Sequence, residues 1–316
     1  MKRNLTATLI LLVTAVVWGF ATVAQVLGAD HLPPMTFNGS RFLLGALCLI
    51  PVYLIFERES ELDRPARRAK HKKTAVAALI GGCLLAFASG LQQYAMGILR
   101  DPGKTGFITS LYTVMTPVLY FLIFRKKSSW NTWVGVVMAT VGLYLLCKKE
   151  GGAPLFGTGE VILLVDVLFW AAHILAVDHL VDGVSVLRFS CWQFLICGVL
   201  NLGAGLIVEH DRITADGLRG ALGAMLFCGV ISVACGYTLQ IIGQKYASNP
   251  TFAAIILSSE SIFAISGGAL WNCFTPEHMH VDQDILPIGY LGCALILAAI
   301  VLSQLDLSPK KKNTES

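Results

Sequence analysis

Charge is what this 316-residue chain has least of: Asp, Glu, Lys and Arg make up 14% of it, against 55% hydrophobic residues and a mean hydropathy of +0.67. An ordinary soluble domain carries about 25% charged residues, so too few are present to wrap one core in a polar skin. A soluble enzyme is excluded on that ground. The chain also lacks low-complexity stretches, glycine periodicity and charged heptads, which removes disorder, collagen and coiled coil. There is no CxxC pair and no Cys/His spacing for a metal, although nine cysteines are present, nearly all in apolar runs. No metal or cofactor is expected, and the cysteines read as small buried hydrophobes, with Cys147 and Cys273 the one conceivable pair. No G-x-x-x-x-G-K-[ST] loop, H-E-x-x-H or G-x-S-x-G occurs, so neither an ATP-driven machine nor a familiar hydrolase is indicated.

What the chain does have is long apolar runs. A helix needs about 20 mostly apolar residues to cross a bilayer. Seven charge-free runs meet that length: Asn4–Ala29, Thr74–Leu99, Thr105–Phe124, Ser128–Cys147, Phe189–Val208, Gly220–Gln244 and Ile285–Leu305. Three more carry one internal charge each: Pro34–Phe56 around Arg41, Val161–Val177 around Asp166, and Tyr246–Phe274 around Glu260. The expected fold is therefore all-α and polytopic, with ten spans and short connections such as Asp101-Pro102-Gly103 and Gly151-Gly152-Ala153-Pro154. The Met1-Lys2-Arg3 start resembles a secretory signal, but the apolar run is long for one and the repeat described next needs it as a span.

Lys and Arg near the span ends set orientation. With the N-terminus inside, the inner segments hold 16 of them and the outer segments 6. Both termini are thus expected in the cytoplasm, with the chain in the plasma or inner membrane. The basic stretch Arg67–Lys73 is expected to be a loop that faces anionic lipid headgroups, and no nucleic-acid partner is expected.

Two halves repeat. Leu12-Val13-Thr14-Ala15-Val16-Val17-Trp18 lies over Leu164-Val165-Asp166-Val167-Leu168-Phe169-Trp170 at an offset of 152, and Phe42-Leu43 over Phe194-Leu195 at the same offset. Gln93 falls over Gln240, and Thr116-Pro117 is laid over Glu260-Ser261 at an offset drifting to 144. The halves are 5–147 and 158–305. Five spans in each makes the second half enter from the opposite side, the inverted repeat found in many secondary transporters, whose substrate sits near the midplane between halves that rock.

Gly103-Lys104-Thr105-Gly106-Phe107-Ile108-Thr109-Ser110-Leu111-Tyr112, running into Met115-Thr116-Pro117-Val118, resembles the fourth helix of EamA-type members of the drug/metabolite transporter superfamily. Leu239-Gln240, Gln244-Lys245-Tyr246-Ala247, Ala253-Ala254-Ile255-Ile256-Leu257 and Glu260-Ser261-Ile262-Phe263-Ala264 resemble its eighth and ninth. Trp18-Gly19 and Arg41 are similar to features of its first and second. The resemblance covers the whole chain and implies spans 1–4 and 6–9 around a central cavity, with spans 5 and 10 at the edge. It implies export of amino acids, other small metabolites or toxic compounds. One departure is Ser261, where family members often carry proline, so a kink in span 9 is not implied.

Ionisable and hydrogen-bonding residues inside spans are costly there and are the functional candidates. Glu260, near the centre of span 9, is the leading proton carrier, with Asp166 beside it in that role. Asp166, Trp170 and His173 share one face of span 6, the acid and the imidazole about 20° apart and roughly 10 Å along the axis. Trp18 occupies the same repeat position as Trp170, and paired aromatics can wall an amphipathic or cationic ligand. Gln92, Gln93, Tyr112, Tyr237 and Gln240 complete the candidate substrate-binding set, although glutamines also bond helices together. Arg41, near the outer end of span 2, is expected to snorkel to the interface or meet an acidic partner. Pro117 is the candidate gating kink. Small residues in spans 5 and 10 (Gly135, Ala139, Gly142; Gly289, Gly292, Ala294) suit packing within the chain or a homodimer seam. The reading is a secondary transporter of a small-molecule substrate, not an enzyme. The alternative is a lipid flippase or scramblase.

Overall fold

The computed structural model describes residues 2–57, 63–126, 128–146, 157–281 and 286–304. Cys147, the Gly151–Pro154 turn and the basic residues at 310–312 lie outside them. The described residues form helices and no strand. In chain order they are α1 (Lys2–Ala29), α2 (Pro34–Phe56), α3 (Arg64–Leu99), α4 (Pro102–Ser110), α5 (Tyr112–Phe124), α6 (Trp130–Leu146), α7 (Thr158–Leu180) and α8 (Val186–Val208). After these come α9 (Ala215–Leu226), a π-helical segment Phe227–Tyr237, α10 (Thr238–Tyr246), α11 (Pro250–Leu257), α12 (Glu260–Phe274) and α13 (Pro287–Gln304). Joining consecutive pieces gives eight helices long and apolar enough to cross a membrane, with α6 and α13 as two shorter apolar ones.

Polarity is inverted relative to a soluble protein. Leu5, Leu9 and Val13 form an exposed stripe on α1, and Leu47, Leu54, Leu79, Phe87, Leu200 and Ile207 are exposed on α2, α3 and α8. Arg41, Gln93, Asp166, His173, Gln193 and Gln240 are almost wholly buried. Only a hydrocarbon solvent makes such an exterior favourable. The basic run Arg67–Lys73 differs from its expectation as a loop. It forms the first turns of α3, opened by an Asp63 cap that accepts from the Ala66 N–H at 2.8 Å, and its side chains are mostly exposed.

The helix ends reveal how the halves correspond. Asp101 caps α4 by accepting from the Lys104 N–H, and Asn249 caps α11 by accepting from the Phe252 N–H, both at 2.9 Å and both just before a proline. These two caps are 148 residues apart, as are Leu111 and Ser259, the residues that open α5 and α12. The correspondence of spans 4 and 9 is therefore 148, not 144. Glu260 pairs with Tyr112, and Pro117 with Ile265.

A second correspondence links α2 and α8, which lie side by side. The Glu209 carboxylate at the end of α8 accepts from the N–H groups of Met35 (3.1 Å) and Thr36 (2.9 Å) and from the Thr36 hydroxyl (2.9 Å). The Glu57 carboxylate at the end of α2 accepts from the N–H groups of Leu187 (2.9 Å) and Arg188 (3.4 Å). Each helix thus caps the other's N-terminus, where orphan N–H groups and the helix dipole favour a carboxylate. Both partners of this exchange are shifted by 152 residues, so α2 and α8 run antiparallel in matched register.

At the edge, α6 and α13 pack on one another and against α11. A methyl at Gly142 would sit 2.7 Å from the Gly292 carbonyl oxygen, so these two glycines let α6 and α13 approach closely.

Candidate functional site

Spans 4 and 9 are both interrupted, and their interruptions touch. In span 4 the helix breaks at Leu111, whose N–H bonds back to the Ile108 carbonyl at 3.1 Å, an i→i−3 contact in place of the α-helical one. Pro117 lies inside α5, six residues further on, so the interruption is ahead of the proline. In span 9 no proline is present, yet the helix breaks at Ser258–Ser259. The hydroxyls of Ser258, Ser259 and Ser261 donate to the carbonyls of Ile255, Ile256 and Ser258 at 2.7, 2.7 and 2.9 Å. Serines that bond back to the preceding turn compete with the helical ladder. The missing proline at Ser261 is thus replaced by a serine-made break. The Ser110 hydroxyl donates to the Ser258 carbonyl at 3.4 Å, and the Thr113 hydroxyl to the Ala254 carbonyl at 3.2 Å, which crosses the two breaks. Tyr112 and Glu260 are therefore the first residues of two half-helices that meet in the middle of the protein.

Both line one small cavity. Its floor is aromatic. Trp18 lies 6.1 Å from Trp170 and 4.6 Å from Tyr237, and Tyr237 lies 6.1 Å from Trp170 with the rings near parallel at 16°. Phe42 and Phe194, 6.0 Å apart, close the layer behind Tyr237. The π-helical segment sets Ser232 and Tyr237 in the wall: such a widened turn shifts side-chain register and frequently occurs at functional sites. It also needs glycine, because a Cβ on Gly236 would meet the Trp18 indole nitrogen at 2.9 Å.

Above that floor stand Thr22, Gln25, Arg41, Gln92, Gly106 and Thr109, with Glu260 opposite. Arg41 does not snorkel. It is 1% exposed, its Nε donates to the Asn38 Oδ1 at 2.9 Å, its guanidinium sits 4.8 Å over the Phe42 ring, and its Nη2 has no partner. The reason is local: two turns into α2 it faces α8 and the π segment rather than lipid, held by Asn38, which in turn donates to Ser89 at 2.9 Å. Glu260 has no hydrogen-bond or ion-pair partner among the described residues, and neither does the Tyr112 hydroxyl. The cavity thus presents one unpaired cation and one unpaired acid across an aromatic floor.

Of the sequence candidates, Trp18, Gln92, Tyr112, Trp170, Tyr237 and Glu260 line the cavity. Gln93 lies behind the wall, donating to the Gln25 carbonyl at 3.1 Å. Asp166 is fully buried beside Trp170 and Thr109, and neither carboxylate oxygen makes a hydrogen bond of good geometry. His173 shares a 3.2 Å contact with the Gln193 side chain, and Gln240 is buried without a partner on either amide atom. The span 6 face is thus divided: Trp170 reaches the cavity while Asp166 and His173 stay behind it. Thr22, Gln25, Thr109 and Ser232 were not expected. Thr22 and Gln25 stand one and two turns beyond Trp18 on α1, so extending the Trp18 face along its helix would have found them.

The model of the EamA-like transporter family matches residues 5–147 and 157–305. A protein named as an uncharacterized transporter of Archaeoglobus fulgidus is 25% identical over 305 residues, covering 96% of this chain and 87% of its own. The uncharacterized inner membrane transporter YedA of Escherichia coli K12 is 23% identical over 269 residues, covering 81% and 84%. A crystal structure superimposes with a TM-score of 0.69 at 16% identity over 94% of this chain and 96% of its own, a likeness of fold.

Proposed function

Because the chain belongs to the EamA-like transporter family and is a multi-pass membrane protein, we propose that it is a secondary transporter that exports a small polar or amphipathic, amino-acid-like metabolite by alternating access. The observation that carries the reading is the aromatic-walled cavity lined by both Arg41 and Glu260, each without an ion-pair partner among the described residues. A carboxylate on Arg41, an amine on Glu260 and an apolar body over Trp18, Trp170 and Tyr237 would satisfy the two charged groups that the cavity leaves unpaired.

The architecture we propose is ten spans in two inverted repeats, 5–147 and 158–305, with α6 and α13 as spans 5 and 10. The reciprocal Glu57 and Glu209 caps and the crossed breaks of spans 4 and 9 support it, because an axis in the membrane plane exchanges each with its mate. The charge bias of 16 inner to 6 outer basic residues supports cytoplasmic termini. Glu260 is assigned to proton coupling, with Asp166 behind it. Trp18, Gln92, Tyr112, Trp170 and Tyr237 are assigned to the substrate.

Purified protein in liposomes, offered a panel of labelled amino acids and amines with and without a pH gradient, tests the function. Saturable flux of a zwitterionic solute is expected. Movement of fluorescent lipid without solute flux would replace this reading with a flippase. Labelling of single cysteines between residues 57 and 73 from outside would reverse the orientation.

A further inference from the structure

A second group of buried polar side chains lies at the other end of the protein from the cavity. His173 Nε2 meets Gln193 Oε1 at 3.2 Å, but His173 Nδ1 and Gln193 Nε2 have no partner. Ser190, one turn before Gln193 on α8, has an unpartnered hydroxyl. On α10, Gln244 donates to the Ile174 carbonyl at 3.0 Å and leaves its Oε1 unmet, while Gln240, one turn earlier on the same face, leaves both amide atoms unmet. None of these residues is more than 2% exposed. Buried polar groups are almost always paired, so this many orphans together mark a place that is wetted or occupied in another state.

Their position identifies that state. Arg41 stands seven residues into α2, at the end capped by Glu209. Gln193 stands seven residues into α8, at the opposite end, capped by Glu57. The aromatic layer containing Phe42 and Phe194, each the next residue along, separates them. Gln193 is the repeat mate of Arg41, Ser190 of Asn38, and Gln240 of Gln93. Arg41, of the first set, lines the cavity, with Asn38 and Gln93 behind it, whereas the second set is wholly buried.

We propose that His173, Ser190, Gln193 and Gln240 wall a second vestibule, closed here, that opens toward the Glu57 end when the Arg41 cavity closes. This rests on the alternating-access reading above. The two vestibules differ in chemistry. The Arg41 end offers a fixed cation, whereas these four side chains offer two amides, a hydroxyl and an imidazole, so they receive water and the neutral hydrogen-bonding groups of the solute.

The test uses the full-length protein in sealed vesicles of both orientations, with native cysteines replaced and one introduced: Gln25→Cys for the open cavity, Ser190→Cys and Gln240→Cys for the closed one. The probe is a charged, membrane-impermeant methanethiosulfonate reagent. Gln25→Cys is expected to react from the Glu209 face. Ser190→Cys and Gln240→Cys are expected to react from the Glu57 face only, about 10- to 1000-fold more slowly, the factor of a state populated at 0.1–10%. Two positions guard against one variant misfolding. If both stay inert in a protein that transports, and react only once denatured, the cluster is static packing and the proposal falls while the transporter reading stands. Reaction from the Glu209 face would make it part of the first cavity and also overturn it. Reaction as expected in a protein that moves no solute would instead remove the transporter reading and keep a gated, water-filled vestibule.

Discussion

Trp18 and Trp170 stand 152 residues apart in the chain and meet ring to ring at 6.1 Å. In the inverted repeat proposed above, a residue can touch its own repeat mate only near the axis that relates the two halves, and Phe42 does the same with Phe194 at 6.0 Å. On that reading the aromatic layer is where the two halves of the sequence face one another. If that layer is the floor on which the solute rests, Trp170→Phe should retain most transport. Trp170→Ala should raise the KM of flux by about 10-fold or more and lower stability by about 3–5 kcal/mol, as loss of a buried Trp does. Flux kinetics beside thermal melting in detergent checks both, and equal KM values in the two variants would remove Trp170 from the floor.

Arg41 supports a sharper prediction, because a structural ion pair and a ligand-binding cation respond oppositely to removal. Arg41 has no carboxylate partner, and a buried cation left unpaired is a burden on the fold. Arg41→Met should leave the melting temperature unchanged or raise it, while weakening binding of a carboxylate-bearing solute by roughly 10- to 100-fold, the worth of one charge-assisted hydrogen bond. Arg41→Lys keeps the charge but loses the planar fork, and should fall between. A large drop in melting temperature for Arg41→Met would show that the guanidinium holds the helices together instead.

The reciprocal caps predict a symmetric pair of losses. Glu57→Ala and Glu209→Ala should each destabilise the protein by about 1–2 kcal/mol, since each exposes N–H groups at a helix start and removes a charge that the dipole favours. They sit at opposite ends of α2 and α8 and share no partner, so the double variant should show the sum. Denaturation of the three variants in one detergent measures it, and a sum far from additive would mean that the two ends are coupled through the α2–α8 pair.

Much of this was written in composition and periodicity. Apolar runs located every membrane-length helix, and the 152 offset paired Trp18 with Trp170 before any ring contact was visible. What escaped was local hydrogen bonding. The correspondence of spans 4 and 9 was drawn through Pro117 and Ser261, because proline is the visible breaker. The actual breaks are set by the carbonyl of Ile108 and by three serine hydroxyls, which no hydropathy pattern records. Arg41 was expected at the lipid interface or on an acidic partner, because depth along a helix is legible in sequence and direction around it is not. Asp166 and His173 share a helical face with Trp170 yet stop short of the cavity, since a face about 10 Å long spans both sides of the aromatic layer.

Close packing behind Glu260 is testable with one methyl. A Cβ on Gly19 would lie 2.7 Å from the Glu260 carbonyl oxygen and the Ala264 nitrogen, backbone atoms that cannot turn aside. Gly19→Ala should push α12 away from α1 and lower stability by about 1–3 kcal/mol, an overpacking penalty. An unchanged melting temperature would mean that α1 and α12 separate freely.

Glu260 carries the last prediction. It opens α12 at the crossing of the two broken spans, faces the cavity, and has no partner there, so its charge state is answerable to whatever enters. Glu260→Gln keeps shape and hydrogen bonding but cannot titrate. If this carboxyl carries the coupled proton, the variant should fold, bind substrate and exchange it across the membrane, yet fail to accumulate it against a gradient when a pH difference is imposed. A facilitator would behave differently: the wild type itself would ignore the pH difference, and Glu260→Gln would alter affinity alone. Accumulation in liposomes, measured for both proteins with the pH gradient present and then collapsed by an ionophore, separates these cases. Full gradient-driven accumulation by Glu260→Gln would pass the role to Asp166, whose carboxylate lies behind Trp170 with both oxygens unmet and would then have to reach the cavity during the cycle.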